Sequence, residues 1–337
     1  MKALNKLKEA TKFLEGSGIE DAVREAETII VHCLETDRTA LLRDNPLITE
    51  NVIEKIDEFL ERRSMREPLQ YILGYVDFLG MKIKVGKGVL IPRPETELLA
   101  EVAIRTIRSQ QSKQPSLISN PPLPPPPEAD KGGMGRFEKG GQRGGNEDSS
   151  GISHSSLVTR HSLLFILDLC TGSGCLALAL AKEFPDAKVY GTDISEVAIE
   201  YAEKNAEING VKNVTFLKGS LFEPLGELFT IYHSLLTFDL IISNPPYIKK
   251  GDIKTLQPEI QDWEPVEALD GGEDGLHYYR LIIPGSRNYL KDGGCIILEL
   301  GISEADEVRE VAEHAGFKDF SFRKDYAGIE RIIIAKP

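Results

Sequence analysis

The chain has 337 residues, 41% of them apolar, enough for two ordinary domains with a buried core. Its formal net charge of -13 argues against extended binding to a phosphate backbone, because such binding needs lysine and arginine to neutralise phosphates. The four cysteines, Cys33, Cys170, Cys175 and Cys295, form no Cys-x-x-Cys pair and have no histidine nearby at metal-ligand spacing. They read as small buried residues in a reducing cytoplasm, with no metal expected.

Charges interrupt Met1 to Gly16, so no secretory signal is expected there, and no run is long and apolar enough to span a membrane. Apolar residues instead recur at three- and four-residue spacing around Ala3 to Leu14, Ile19 to Leu34 and Asn51 to Arg63, which predicts a small helical bundle. The period then changes. Met81, Ile83 and Val85 alternate with Lys82 and Lys84 between glycines, the pattern of a short β-hairpin. Leu90-Ile91-Pro92-Arg93-Pro94-Glu95-Thr96-Glu97 follows, with each proline holding its predecessor extended and Glu95 or Thr96 opening a helix.

From about Arg108 to His161 the sequence is rich in Ser, Gln, Pro and Gly and buries too little to offset its ordering entropy, so 108–161 is expected to be a disordered insertion. From Leu163 onward strand-like and helix-like stretches alternate. Strands are expected at Leu163 to Leu169, Lys188 to Gly191, Val214 to Lys218, Phe238 to Ser243 and Gly294 to Leu300. Helices are expected at Leu176 to Phe184, Glu196 to Asn209 and Leu276 to Leu290. This alternation predicts an α/β fold with a mainly parallel, doubly wound sheet, closed by an antiparallel hairpin from Phe317 to Phe322 and Ile329 to Ala335.

Two stretches carry chemistry. Asp168 to Gly174 lies between the first core strand and a helix, where glycines let a ligand approach the backbone and the helix N-terminus offers free N–H groups. Gly172-x-Gly174-x-x-Ala177 also satisfies a loose dinucleotide fingerprint, and Asp193, ending the next strand, is placed to accept from ribose hydroxyls. Together they favour an adenosine-type ligand, against which Phe222 could lie; packing into the core explains Phe222 nearly as well. The second stretch is Asn244-Pro245-Pro246-Tyr247, following a buried strand. Its prolines remove two backbone donors and fix φ, leaving the Asn side chain and the carbonyls as a rigid acceptor set for an NH2-bearing group.

Glu67 to Gly74, Leu90 to Glu97, Asp168 to Gly174 and Asn244 to Tyr247, in that order, resemble the HemK/PrmC family of release factor glutamine methyltransferases. The resemblance covers nearly the whole chain outside the insertion. It implies a Rossmann-like class I methyltransferase sheet with a small N-terminal helical bundle joined by a β-hairpin. Residues 1–74 would be a helical substrate-docking domain, 75–107 the hairpin and connecting helix, and 162–337 the methyltransferase domain. It also implies methyl transfer from S-adenosyl-L-methionine to the amide nitrogen, N5, of the glutamine in the Gly-Gly-Gln loop of class I release factors, in the cytoplasm, with no direct nucleic acid or membrane partner. Cys170, Thr171, Gly172, Ser173 and Gly174 would meet the methionine part of the cofactor, Asp193 its ribose and Phe222 its adenine edge.

Asn244, which also borders the cofactor, Pro245, Pro246 and Tyr247 would hold the glutamine. Asn244 and the Pro245 carbonyl would accept its two N–H groups, and Tyr247 would pack on the amide plane. Cys170 stands where the family usually has glycine, so an unstrained φ is needed there. Arg93, Glu95 and Glu97 suit either a substrate entrance or surface pairing. Gly140-Gly141-Gln142 in the insertion repeats the tripeptide expected in the substrate, which a glycine-rich segment also produces readily. Asn-Pro-Pro-Tyr is shared with DNA adenine-N6 methyltransferases, which keeps that activity as an alternative. A non-catalytic cofactor-binding module is the third reading.

Overall fold

The computed structural model describes residues 1–113, 163–226 and 236–337. Five helices open it: α1 (Ala3–Gly16), α2 (Ala22–Cys33), α3 (Arg38–Asp44), α4 (Glu50–Ser64) and the short α5 (Leu69–Leu73). Asp37 caps α3 by accepting from the Ala40 N–H at 2.9 Å. The helices bury one stripe each, Ile56, Phe59 and Leu60 on α4 meeting Leu14, Ile29 and Ile30, so the bundle has a core of its own.

Gly74, at φ 81°, ends α5 and turns the chain into β1 (Tyr75–Phe78) and β2 (Met81–Lys84), an antiparallel pair. Leu79 and Gly80 both have positive φ, the geometry that matches a two-residue turn to strand twist. The Leu79 N–H donates to Glu97 Oε1 at 3.0 Å, which fixes the turn onto helix α6 (Pro94–Lys113). That helix runs past Arg108 to Lys113, so the segment expected to be disordered from 108 begins with ordered helix. The rest of that segment, including Gly140-Gly141-Gln142, lies outside the described residues.

The second part alternates β3 (Phe165–Leu169), α7 (Cys175–Glu183), β4 (Lys188–Asp193), α8 (Glu196–Asn209), β5 (Val214–Lys218), β6 (Phe238–Ser243), α9 (Pro258–Gln261), α10 (His277–Ser286), β7 (Leu290–Glu299), α11 (Ala305–His314), β8 (Asp319–Lys324) and β9 (Glu330–Lys336). Seven strands form one sheet in the order β5-β4-β3-β6-β7-β9-β8. The first five are parallel, and β9 pairs antiparallel with both β7 and β8. Helices α6 and α7 with the hairpin cover one face, and α10 and α11 the other. The helix expected from Leu276 to Leu290 ends at Ser286, and Leu290 already begins β7. Its apolar residues there serve the sheet, because a strand and a helix end both read as a short apolar run.

Bundle and sheet are joined by charge as well as by chain. The buried Arg63 guanidinium on α4 pairs with Glu25 on α2 and with Glu259 on α9, and Arg66 also reaches Glu259. A buried, multiply paired arginine is costly to strip of its partners, so this clasp favours one placement of the bundle against the loop after β6.

Candidate active site

The strand order decides where the site lies. The chain winds from β3 through β4 to β5 in one direction, then crosses to β6 on the other flank of β3. That reversal leaves a crevice beyond the carboxyl ends of β3 and β6, where open α/β sheets place ligands. Leu169 and Ser243 are register partners at those ends, and the Ser243 hydroxyl donates to the Leu169 carbonyl at 2.6 Å. Cys170 to Gly174 and Asn244 to Tyr247 therefore emerge side by side, and Cys170 to Ser173, Asn244 and Pro246 line a cavity of about 540 Å³, with Gly174 outside the lining.

In the cofactor half, the loop is held mainly through its backbone. Gly172 N–H donates to Asp193 Oδ2 and Ser195 N–H to Asp193 Oδ1, both at 2.9 Å, so each carboxylate oxygen is anchored while Asp193 still lines the cavity. Burial raises the Asp193 pKa above the ordinary carboxylate range, opposed by these backbone donors. Thr171 N–H donates to the Thr192 carbonyl at 3.0 Å, tying the loop to β4. Gly172 has φ 55°, and a Cβ there would meet nothing within 4 Å, so its backbone faces open space. Gly174, at φ 80°, is needed for the opposite reason: a Cβ would lie 2.9 Å from the Ala202 Cβ, and α7 could not start so close to α8.

Cys170 has φ 56°, inside the left-handed region, so the unstrained φ expected there is not found. The price for an L-residue is roughly 1–2 kcal/mol, which the surrounding loop contacts must offset.

Beneath the loop, Asp168 is fully buried. Its Oδ2 accepts from Thr171 Oγ1 at 2.5 Å and from the Ala177 N–H at 3.2 Å, while Oδ1 has no partner among the described residues. Burial pushes its carboxyl up to about 7. An anchored ribose-type acceptor at Asp193, open backbone at Gly172 and a cavity of this size fit a nucleoside ligand.

Phe222 departs from expectation. Its ring stacks on Tyr289, with centroids 4.9 Å apart and planes 3° from parallel, and it does not line the cavity. The neighbouring Ser220 and Leu221 line it instead. Leu221 adopts φ 48°, which bends the chain there; Gly285 leaves room for the Phe222 ring, since a Cβ at that glycine would lie 2.6 Å from it.

In the acceptor half, Asn244 and Pro246 line the cavity, whereas Pro245 is buried away from the lining. Tyr247 also lies outside the lining: its ring packs with the core under α10 and its hydroxyl donates to Glu299 Oε1 at 3.3 Å. The expected aromatic platform is thus turned inward, where the ring gains apolar burial. Asn244 Nδ2 donates to Thr96 Oγ1 at 3.1 Å, and Thr96 Oγ1 donates to Glu299 Oε2 at 3.0 Å. Burial raises the Glu299 carboxyl to about 7.

Thr96 and Glu299 were not singled out in the sequence as site residues. The available signal for Glu299 was a lone carboxylate ending the apolar run of β7; for Thr96 it was a hydroxyl between two glutamates. Asn205 on α8 also escaped notice. Fully buried, it accepts from Lys84 N–H at 2.7 Å and donates to the carbonyls of Lys84 and Ser173, so it joins the hairpin to the cofactor loop.

The remaining walls come from both sides of the chain. Gly88 to Pro92 forms one, secured where the buried Tyr71 hydroxyl donates to the Val89 carbonyl at 2.6 Å. Pro265 to Ala268 forms another. Arg93 donates to the buried Glu264 at 2.6 Å, bracing these two walls, and Glu97 is occupied by the hairpin turn. Neither side chain lines the cavity, nor does Glu95.

A parallel sheet with an antiparallel edge, a glycine loop after β3, an anchored aspartate after β4 and Asn-Pro-Pro-Tyr after β6 define a class I methyltransferase, with S-adenosylmethionine as methyl donor. Residues 160–308 match the family described as methyltransferase domain, and residues 5–74 match the PrmC N-terminal domain. The chain is 40% identical to a release factor glutamine methyltransferase of Thermodesulfovibrio yellowstonii over 99% of its own length and 98% of that protein. It is 38% identical to the one of Geobacter sulfurreducens, over 95% of this chain and 92% of that protein. The solved delta-N METTL16 MTase domain superposes with a TM-score of 0.47 at 17% identity, over 81% of this chain and 95% of that one. The chain belongs to the release factor glutamine methyltransferase family.

Proposed function

We infer that this protein methylates a glutamine side chain of peptide chain release factors, at the amide nitrogen N5 of the Gly-Gly-Gln motif of class I factors. The observation that carries the acceptor assignment is the fixed carboxamide of Asn244: its Nδ2 is committed to Thr96, which leaves Oδ1 as the acceptor available at the cavity. An amide nitrogen is a weak nucleophile because its lone pair is delocalised into the carbonyl. Asn244 Oδ1, accepting one of its N–H bonds, orients that nitrogen and stabilises positive charge as it develops. The Pro245 carbonyl was the expected second acceptor, but its residue does not line the cavity, so the assignment rests on Asn244.

S-adenosylmethionine, when bound, supplies an electrophilic methyl on a sulfonium. Asp193 would hold its ribose hydroxyls, the backbone of Cys170 to Ser173 its methionine end, and Ser220 and Leu221 its base. The wall of Gly88, Val89, Leu90 and Pro92 excludes water, and Pro265, Glu267 and Ala268 frame the approach of the substrate loop. The helical bundle, clasped onto α9 through Arg63 and Arg66, on this reading grips the release factor outside its loop, since a single glutamine cannot distinguish one protein from another. On this reading the protein acts in the cytoplasm.

The test is incubation with labelled S-adenosylmethionine and, separately, a release factor and duplex DNA. Label is expected on one glutamine of the factor, located by mass spectrometry. Label on adenine and none on the factor would replace this function by the DNA alternative; cofactor binding without transfer to either would favour the non-catalytic module.

A further inference from the structure

The hydrogen-bond chain behind Asn244 has a direction, and the direction has a consequence. Thr96 Oγ1 carries one proton. Its partner Glu299 Oε2, 3.0 Å away, belongs to a carboxylate, which in its ionised form only accepts. While Glu299 is ionised, above its raised pKa of about 7, the Thr96 proton is committed to it, and the hydroxyl can meet Asn244, 3.1 Å away, only as an acceptor. Asn244 must then present its NH2 end to Thr96 and its oxygen to the cavity. The second Glu299 oxygen accepts from the Tyr247 hydroxyl, so both carboxylate oxygens are occupied by donors and the anion is held in one rotamer. Thr96 is 3% and Glu299 1% exposed, which keeps water from supplying substitute partners.

We propose that Glu299 and Thr96 are positioning residues that set which end of the Asn244 carboxamide faces the methyl acceptor. With the carboxamide reversed, Asn244 would offer an NH2 to the substrate NH2, two donors facing one another, and the nitrogen to be methylated would lose its orientation. An asparagine carboxamide is nearly symmetric in shape, so packing alone does not select an end; the polarity of its partner does. The relay draws on three distant places, the helix start after Arg93-Pro94, the end of β7 and the loop after β6, and it also explains why Tyr247 faces inward. It rests on the acceptor role given to Asn244 above.

Thr96→Val keeps the shape and removes the hydroxyl; Thr96→Ser keeps the hydroxyl and removes the methyl. Glu299→Gln keeps the volume and both hydrogen-bonding sites but lets an NH2 face Thr96, which permits the reversed arrangement. With the full-length protein and a release factor, Thr96→Val is expected to lower kcat by about 10- to 100-fold, and Glu299→Gln by about 3- to 10-fold. Cofactor Kd by calorimetry should remain within about threefold of wild type in both, Tm is expected to fall modestly because each change disturbs a buried hydrogen bond, and Thr96→Ser should recover kcat to within about threefold of wild type.

A purely structural role predicts the reverse pattern, with Glu299→Gln equal to wild type in kcat and Thr96→Ser as impaired as Thr96→Val; either result overturns the proposal. Wild-type kcat in Thr96→Val also overturns it. A wild-type protein that labels no release factor overturns the acceptor role itself, which separates that failure from a failure of the relay.

Discussion

The two halves of the cavity are held by different kinds of structure. In the cofactor half, backbone groups of two adjacent strand ends do most of the work: Asp193 accepts from the Gly172 and Ser195 N–H groups, Thr171 N–H donates to the Thr192 carbonyl, and glycine φ values shape the turn. In the acceptor half, Asn244 depends on Thr96 and Glu299, which come from other parts of the chain. A site built from backbone groups tolerates side-chain changes around it. One built from side-chain relays is sensitive to residues behind the cavity wall, such as the buried Glu299.

Asn244→Ala should separate the halves most sharply. Single-turnover methyl transfer is expected to fall by about 10²- to 10³-fold, while the cofactor Kd, measured by calorimetry, stays within about threefold because the loop after β3 is untouched. Undiminished transfer in a folded variant would remove the acceptor half from the chemistry.

Phe222→Ala probes the boundary between cavity and core. Loss of the ring stacked on Tyr289 is expected to destabilise by about 2–3 kcal/mol, read as a lower denaturant midpoint, with little change in cofactor affinity. A large loss of affinity without loss of stability would return the ring to the cofactor site. Asp193→Ala should act in the opposite sense, weakening cofactor binding by about 1.5–3 kcal/mol with a smaller effect on the turnover of bound substrate. Calorimetry beside single-turnover kinetics distinguishes the two outcomes.

Smaller effects sharpen the local side. Cys170→Gly relieves a left-handed backbone costing roughly 1–2 kcal/mol, offset by roughly 0.5–1 kcal/mol of added unfolded-state freedom. A Tm equal to or slightly above wild type is expected, and a clear drop would mean that the thiol is needed for packing.

Glu299 offers a test through pH. Its folded carboxyl sits at about 7 against an ordinary 4.5, raised first by burial and further by Glu95, and opposed by the Thr96 and Tyr247 hydroxyls and by Arg331. The folded protein therefore holds this proton more tightly than the unfolded chain. Stability from this group is fully present below about pH 4.5 and is lost as pH rises through about 7. The difference in Tm between wild type and Glu299→Gln should change across that window, and a pH-independent difference would deny the raised pKa.

The expectations drawn from sequence follow the same division. The alternation from Leu163 onward was legible because buried strands and amphipathic helices leave different periods, and the parallel sheet followed from their order. The glycine turn after β3 and its neighbour Asp193 were legible because glycine spacing, a following helix and an acidic strand end are local signals. Phe222 was not, since an aromatic beside a cavity and one beneath it look alike until Tyr289 and Gly285 are in place. Tyr247 was misdirected for the same reason.

By itself, the sequence determined the fold class and the strand ends after which the glycine loop and Asn244 to Tyr247 emerge, because these depend on periodicity, turn geometry and residue type. Only the tertiary structure decided that Asn244 lines the cavity with its Nδ2 tied to Thr96, that Phe222 and Tyr247 pack with the core, and that the bundle is clasped to α9 through Arg63. Those outcomes depend on burial and on hydrogen-bond polarity between residues distant in the chain, which no local pattern records.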